Sequence, residues 1–109
     1  MPGQLYLCAT PIGNLGDASP RLIETLASLD IVYAEDTRRS AKLMTALGVS
    51  VPLRSFFVGN EKERAAQLGQ DLEGGKRVGL ITDAGMPGIS DPGKTAVEVA
   101  RRCGAQVLV

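Results

Sequence analysis

Two kinds of apolar pattern alternate along the chain. Short continuous runs at Leu5–Ala9, Ile31–Ala34, Val78–Ile81 and Gln106–Val109 have the length and density of strands buried on both faces, and a less marked run spans Leu53–Phe57. Between them, apolar residues return every three or four positions. Leu22, Ile23, Leu26 and Ala27 predict one helical face, opened by Ser19-Pro20, a hydroxyl cap followed by proline at the first helical position. Ala41, Met44 and Leu47 predict a second helix, capped by Asp36 or Thr37 and stopped at Gly48. Ala65, Leu68 and Leu72 predict a third, for which Asn60 and Glu63 have the spacing of a capping box and Gly74-Gly75 supplies an end. Ala96, Val97, Ala100 and Cys103 predict a fourth, stopped by Gly104.

Strands that alternate with helices imply right-handed βαβ units. The expected fold class is therefore α/β, a mostly parallel five-stranded sheet with helices on both faces. Ligands of such sheets bind beyond the carboxyl ends of the strands. Three segments fall there, 10–18, 35–37 and 82–93, and they gather much of the chain's Gly, Pro, Asp and Thr. That coincidence directs attention to one edge of the sheet.

Composition narrows the function classes. The 109 residues suit a single α/β domain, although the chain stops inside an apolar strand, so residues 1–109 are expected to be a piece of a longer protein. Twelve Lys and Arg balance twelve Asp and Glu, five of each in residues 1–54 and seven of each in 55–109. No basic arm or membrane-surface helix follows from that balance, so any RNA contact needs a local patch or further chain. No apolar run approaches the ~18 residues of a membrane span, and Met1-Pro2-Gly3-Gln4 lacks the start of a signal peptide; a cytoplasmic protein is expected. There is no His, and Cys8 and Cys103 stand far apart, so neither a metal site nor a disulfide is expected.

The motifs admit structural and chemical readings. Gly88–Thr95 matches G-x-x-x-x-G-K-T, but Asp83 to Pro87 separate it from its strand, and Asp91-Pro92 has the form of a helix cap whose carboxylate would repel a phosphate. Thr10-Pro11-Ile12-Gly13-Asn14-Leu15-Gly16-Asp17 lacks the full dinucleotide fingerprint and serves equally as a turn or a ligand loop. In Glu35-Asp36-Thr37-Arg38-Arg39, helix capping competes with the positioning of a polar substrate by two carboxylates and two guanidiniums. Thr82–Gly93 is the most informative: twelve residues with little side-chain bulk let a ligand approach bare amides and carbonyls.

Taken together, TPIGNLGD at 10–17, AEDTR at 34–38 and DAGMPGISDPG at 83–93 resemble the ribosomal RNA small-subunit methyltransferase I family, in the tetrapyrrole methylase superfamily of class III S-adenosylmethionine-dependent methyltransferases. The resemblance runs through all 109 residues. It implies that the chain is the N-terminal half of a two-domain enzyme, with S-adenosyl-L-methionine held in the cleft between the domains. It further implies a homodimer that methylates the ribose 2′-oxygen of a cytidine in small-subunit ribosomal RNA. By the same resemblance, Asp83, Ala84, Gly85, Met86, Pro87, Ile89 and Ser90 line the cofactor cleft, and Thr10, Pro11, Ile12 and Gly13 form the opposite wall. Glu35 and Asp36 become the candidate general bases, and Arg38 and Arg39 the candidate RNA contacts.

Two departures stand out. Met86 occupies a position where the family has Thr, and Gly59-Asn60-Glu61 stands where it has His-Asn-Glu. Two other readings stay open: a nucleotide hydrolase using Gly88–Thr95, and a non-catalytic binding or dimerisation module of the same fold. The isolated 109 residues are expected to have little or no methyl-transfer activity.

Overall fold

A computed structural model describes residues 3–9, 20–57, 59–82 and 91–108. The elements are β1 (Gln4–Ala9), α1 (Pro20–Ala27), β2 (Ile31–Ala34), α2 (Thr37–Ala46), β3 (Leu53–Ser55), α3 (Glu61–Glu73), β4 (Arg77–Thr82), α4 (Asp91–Arg102) and β5 (Gln106–Leu108). They form one sheet in the order β3-β2-β4-β1-β5, with every pairing parallel. The α/β expectation holds, and the parallelism is complete rather than partial.

The two-residue period of the strands divides the core between the faces of the sheet. Leu5, Ile31, Tyr33, Val78 and Leu80 pack with Phe56 against Leu68 and Leu72 of α3 and Ala96 and Ala100 of α4. Cys8, Val32, Ala34 and Ile81 point the other way, onto Leu26 of α1, Met44 of α2, and Leu29 and Val49. Burial on both sides explains why these strands read as unbroken apolar runs. Gly79 faces this second cluster, and a Cβ there would lie 2.5 Å from Leu29 Cδ1.

Local details refine the sequence reading. Ala27 and Ala41 are exposed. In α1 the last turn is finished by Leu29, beyond the helix, which turns back into the core at 5% exposure. In α2 the inward stripe is Ser40, Leu43, Met44 and partly buried Leu47, a spacing of three and four that leaves Ala41 outside. Of the two caps the sequence offers for α2, the structure uses Asp36: its Oδ1 accepts the amides of Arg38 and Arg39, each at 3.1 Å.

The capping box at α3 does not form. Asn60 instead turns back: its Oδ1 accepts the Phe57 amide at 2.9 Å and its Nδ2 donates to Ser55 Oγ at 2.9 Å. Those bonds end β3 at Ser55, two residues short of the expected run, although the Phe56 amide still donates to Ala34 O at 2.8 Å. Gly48 and Gly104 end α2 and α4 as expected, with φ of +73° and +71°, a conformation that glycine enters without a Cβ clash.

Candidate functional site

Strands β1 and β4 are neighbours in register from Gln4↔Arg77 to Ala9↔Thr82, so they end together at the carboxyl edge. The chain leaving β1 goes to α1, which packs on one face, and the chain leaving β4 goes to α4, which packs on the other. Two adjacent strands whose continuations part in this way open the kind of crevice in which parallel α/β sheets hold their ligands. TPIGNLGD begins at the residue after Ala9, and DAGMPGISDPG at the residue after Thr82. The candidate cofactor residues Thr10, Pro11, Ile12, Gly13, Asp83, Ala84, Gly85, Met86, Pro87, Ile89 and Ser90 themselves lie outside the described residues.

On the other side of β4, strand β2 brings Glu35 to the same edge. The Glu35 amide donates to Ile81 O at 3.4 Å, the last rung before the strands part. Its side-chain Oε1 is buried and has no hydrogen-bond partner among the described residues. An oxygen in that condition costs about 1–3 kcal/mol relative to a paired one, more when it carries charge, and it is ready to accept from a ligand. Asp36 differs: it is exposed, and its carboxylate is engaged in holding the first turn of α2. The two candidate bases therefore stand in different environments. Arg38 and Arg39 are exposed in that same first turn, so Glu35, Asp36, Arg38 and Arg39 do share one edge.

The phosphate-loop reading of Gly88–Thr95 finds no support at its described end. The Thr95 hydroxyl, which would face a magnesium ion in such a loop, donates to Glu61 Oε2 at 2.8 Å. That contact also sets a carboxylate beside the start of α4, where it would repel a phosphate. Neither thiol is disposed to act as a nucleophile. Burial pushes Cys8 up from 9.0 to about 11, and burial with the nearby Glu73 carboxylate raises Cys103. Among the described residues no three His, Cys, Asp or Glu side chains converge as a metal site, and no helix is long and apolar enough to cross a membrane.

Sequence reasoning missed three features. It could not separate Glu35 from Asp36, because burial follows from pairing with β4, 46 residues away in sequence at Ile81. It passed over Phe57, which the turn at Asn60 expels from the sheet. It also passed over the group around buried Asp71, joined by buried Tyr33, half-buried Arg54 and exposed Lys76; the only signal was Asp71 lying between Leu68 and Leu72 on the inward side of α3.

Comparison with known proteins gives the same edge a family context. Two proteins named ribosomal RNA small subunit methyltransferase I, from Synechocystis sp. and Thermotoga maritima, are 43% and 44% identical to this chain over 106 and 105 residues. The matched regions cover 97% and 96% of this chain but only 38% and 47% of those proteins. The chain thus spans less than half the length of these curated relatives. The crystal structure of uroporphyrin-III-C-methyltransferase from Thermus thermophilus superposes on 100% of this chain and 47% of its own with a TM-score of 0.72, a likeness of fold at 21% identity. Residues 4–109 match the family model for tetrapyrrole (corrin/porphyrin) methylases. On that match, and on the identity with these relatives, the chain belongs to the tetrapyrrole methylase family.

Proposed function

We propose that this chain is the N-terminal domain of an S-adenosyl-L-methionine-dependent methyltransferase that acts on the ribose 2′-oxygen of a cytidine in small-subunit ribosomal RNA. The observation that carries the reading is the pairing of Ala9 with Thr82, from which the two family motifs set out side by side at the carboxyl edge. The names of the relatives support RNA as the substrate class. A second domain, matching the further length of those relatives, would close the crevice. The same reading makes the whole protein a cytoplasmic homodimer.

The residues present suit the cofactor. Asp83–Ser90 offers main chain with little side-chain cover, and Ile12, Met86 and Ile89 offer apolar contact for an adenosyl group. The bound cofactor supplies an already activated sulfonium methyl. The protein's task is then alignment of acceptor oxygen, methyl carbon and sulfur, which is worth up to about 7–11 kcal/mol of barrier. Glu35, with Oε1 buried and unpaired, accepts the proton of the ribose hydroxyl as that oxygen takes the methyl group. Arg38 and Arg39 hold the RNA backbone at the mouth of the crevice.

The test is transfer of labelled methyl from the cofactor to small ribosomal subunits by the full-length protein. Turnover at the 2′-oxygen of a cytidine, reduced about 100-fold or more by Glu35→Gln, is expected. Absence of transfer by the wild-type protein would overturn the reading; unchanged turnover by the variant would remove Glu35 from its role. The 109 residues alone are expected to give none.

A further inference from the structure

Phe57 is 46% exposed, the large apolar side chain that stands out in solvent among the described residues. Single exposed apolar residues are ordinary, but this one is held in position. The Phe57 amide donates to Asn60 Oδ1 at 2.9 Å, the Asn60 amide donates back to Phe57 O at 3.0 Å, and Asn60 Nδ2 ties the turn to Ser55 Oγ at 2.9 Å. The ring lies against Gly59: a Cβ on that residue would come within 2.5 Å of Phe57 Cε2. A tight turn and a glycine thus present one aromatic face outward.

Its surroundings are cationic on one side. Strands β2 and β3 are paired, and the Phe56 amide still bonds Ala34 O, so Phe57 and the first turn of α2 leave neighbouring strands at the same end of the sheet. That turn exposes Arg38 and Arg39, with Lys42 one turn on. On the other side, α3 opens with alternating charge, Glu61, Lys62, Glu63 and Arg64. Phosphates are therefore drawn toward the exposed cations of α2. A fixed, exposed ring at the same end of the sheet as a row of cations is a combination that suits single-stranded nucleic acid, the bases stacking and the backbone following the charge. A docked protein would need a contiguous apolar patch, and among the described residues Phe57 is the one large apolar side chain that is exposed.

We infer that Phe57 is a stacking platform for an unpaired base of the RNA substrate, at the same end of the sheet as the proposed methylation crevice and separated from it by β2, with Arg38 and Arg39 on the adjoining phosphates. This inference rests on the function proposed above. Its test is the affinity of the full-length protein for a short fluorescein-labelled single-stranded RNA, measured by anisotropy. Phe57→Ala is expected to weaken binding roughly tenfold, Phe57→Tyr to keep it, and Gly59→Ala, which must displace the ring, to fall between the two. Affinity for S-adenosylhomocysteine should be the same in all four proteins.

Equal RNA affinity of wild type and Phe57→Ala would overturn the inference while leaving the proposed function in place. A change in oligomeric state with RNA affinity intact would also overturn it, by assigning the ring to a protein interface. Wild-type protein that binds no RNA would overturn the proposed function itself, and this inference with it.

Discussion

The Tyr33 hydroxyl donates to Asp71 Oδ2 at 2.6 Å, joining the middle of the sheet to the last turns of α3. Arg54 Nη1 donates to the same Oδ2 at 3.2 Å and to the Tyr33 oxygen at 2.8 Å, and Lys76 Nζ reaches Asp71 Oδ1 at 3.4 Å. One carboxylate thus ties β2, β3, α3 and the chain entering β4. Burial and the Asp71 carboxylate together push the Tyr33 hydroxyl well above its usual pKa, keeping it neutral and donating. Tyr33→Phe should cost about 2 kcal/mol, the worth of a hydrogen bond to a charged group, in urea unfolding. Asp71→Ala should cost more, because it strands the buried hydroxyl. A Tyr33→Phe protein as stable as wild type would show that the hydroxyl is idle.

Gly79 allows α1 and the turn after it to settle on the sheet. Gly79→Ala would bring its Cβ to 2.5 Å from Leu29 Cδ1 and 3.4 Å from Val32 Cγ2. Overpacking of this kind costs about 1–3 kcal/mol. The added methyl has room once Leu29 is shortened, so Gly79→Ala with Leu29→Ala should lose clearly less stability than the sum of the two single variants. Additive losses in the thermal or urea series would argue against the contact.

Alkaline pH should weaken the fold through Cys8. Burial raises its pKa from 9.0 to about 11, so the native state holds a proton that the unfolded chain releases first. The stabilisation is complete below pH 9 and is lost as pH climbs toward 11, by an amount of order 2 kcal/mol. Tyr33 and Cys103, both shifted upward, act in the same direction. Unfolding free energy followed from pH 8 to 11 should therefore fall, and fall less steeply in Cys8→Ala. Identical slopes would contradict the assignment to this thiol.

Much of this architecture is legible in the order of residues. Runs such as Val78–Ile81 are apolar because both of their faces are covered, and Gly48 and Gly104 mark helix ends because each enters a left-handed turn. What escapes is non-local. Asp71 looks like a surface residue until Tyr33 and Arg54 arrive from other strands, and Asn60 looks like a cap until the turn at Phe57 and Ser55 takes its side chain. At the candidate site, the spacing in AEDTR gathers the right side chains but cannot tell which carboxylate is spent on capping. Only the strand pairing separates exposed Asp36 from the buried oxygen of Glu35.

That separation has a consequence for stability. Asp36→Ala removes the acceptor for the Arg38 and Arg39 amides and should cost about 1 kcal/mol. Glu35→Gln exchanges an unpaired buried carboxylate oxygen for an uncharged one and should be no less stable than wild type if Glu35 has the proposed role. Thermal unfolding of both variants checks the pair of predictions. A Glu35→Gln protein destabilised by more than Asp36→Ala would assign Glu35 to the scaffold.

The most direct measurement is calorimetric titration of S-adenosylhomocysteine into the full-length protein and into a variant with both Asp83→Ala and Gly85→Ala, at the start of the segment that follows Thr82. If the crevice between the ends of β1 and β4 holds the cofactor, the wild-type protein binds and the double variant, folded to the same extent by circular dichroism, does not. Equal affinity in the two proteins would contradict that placement.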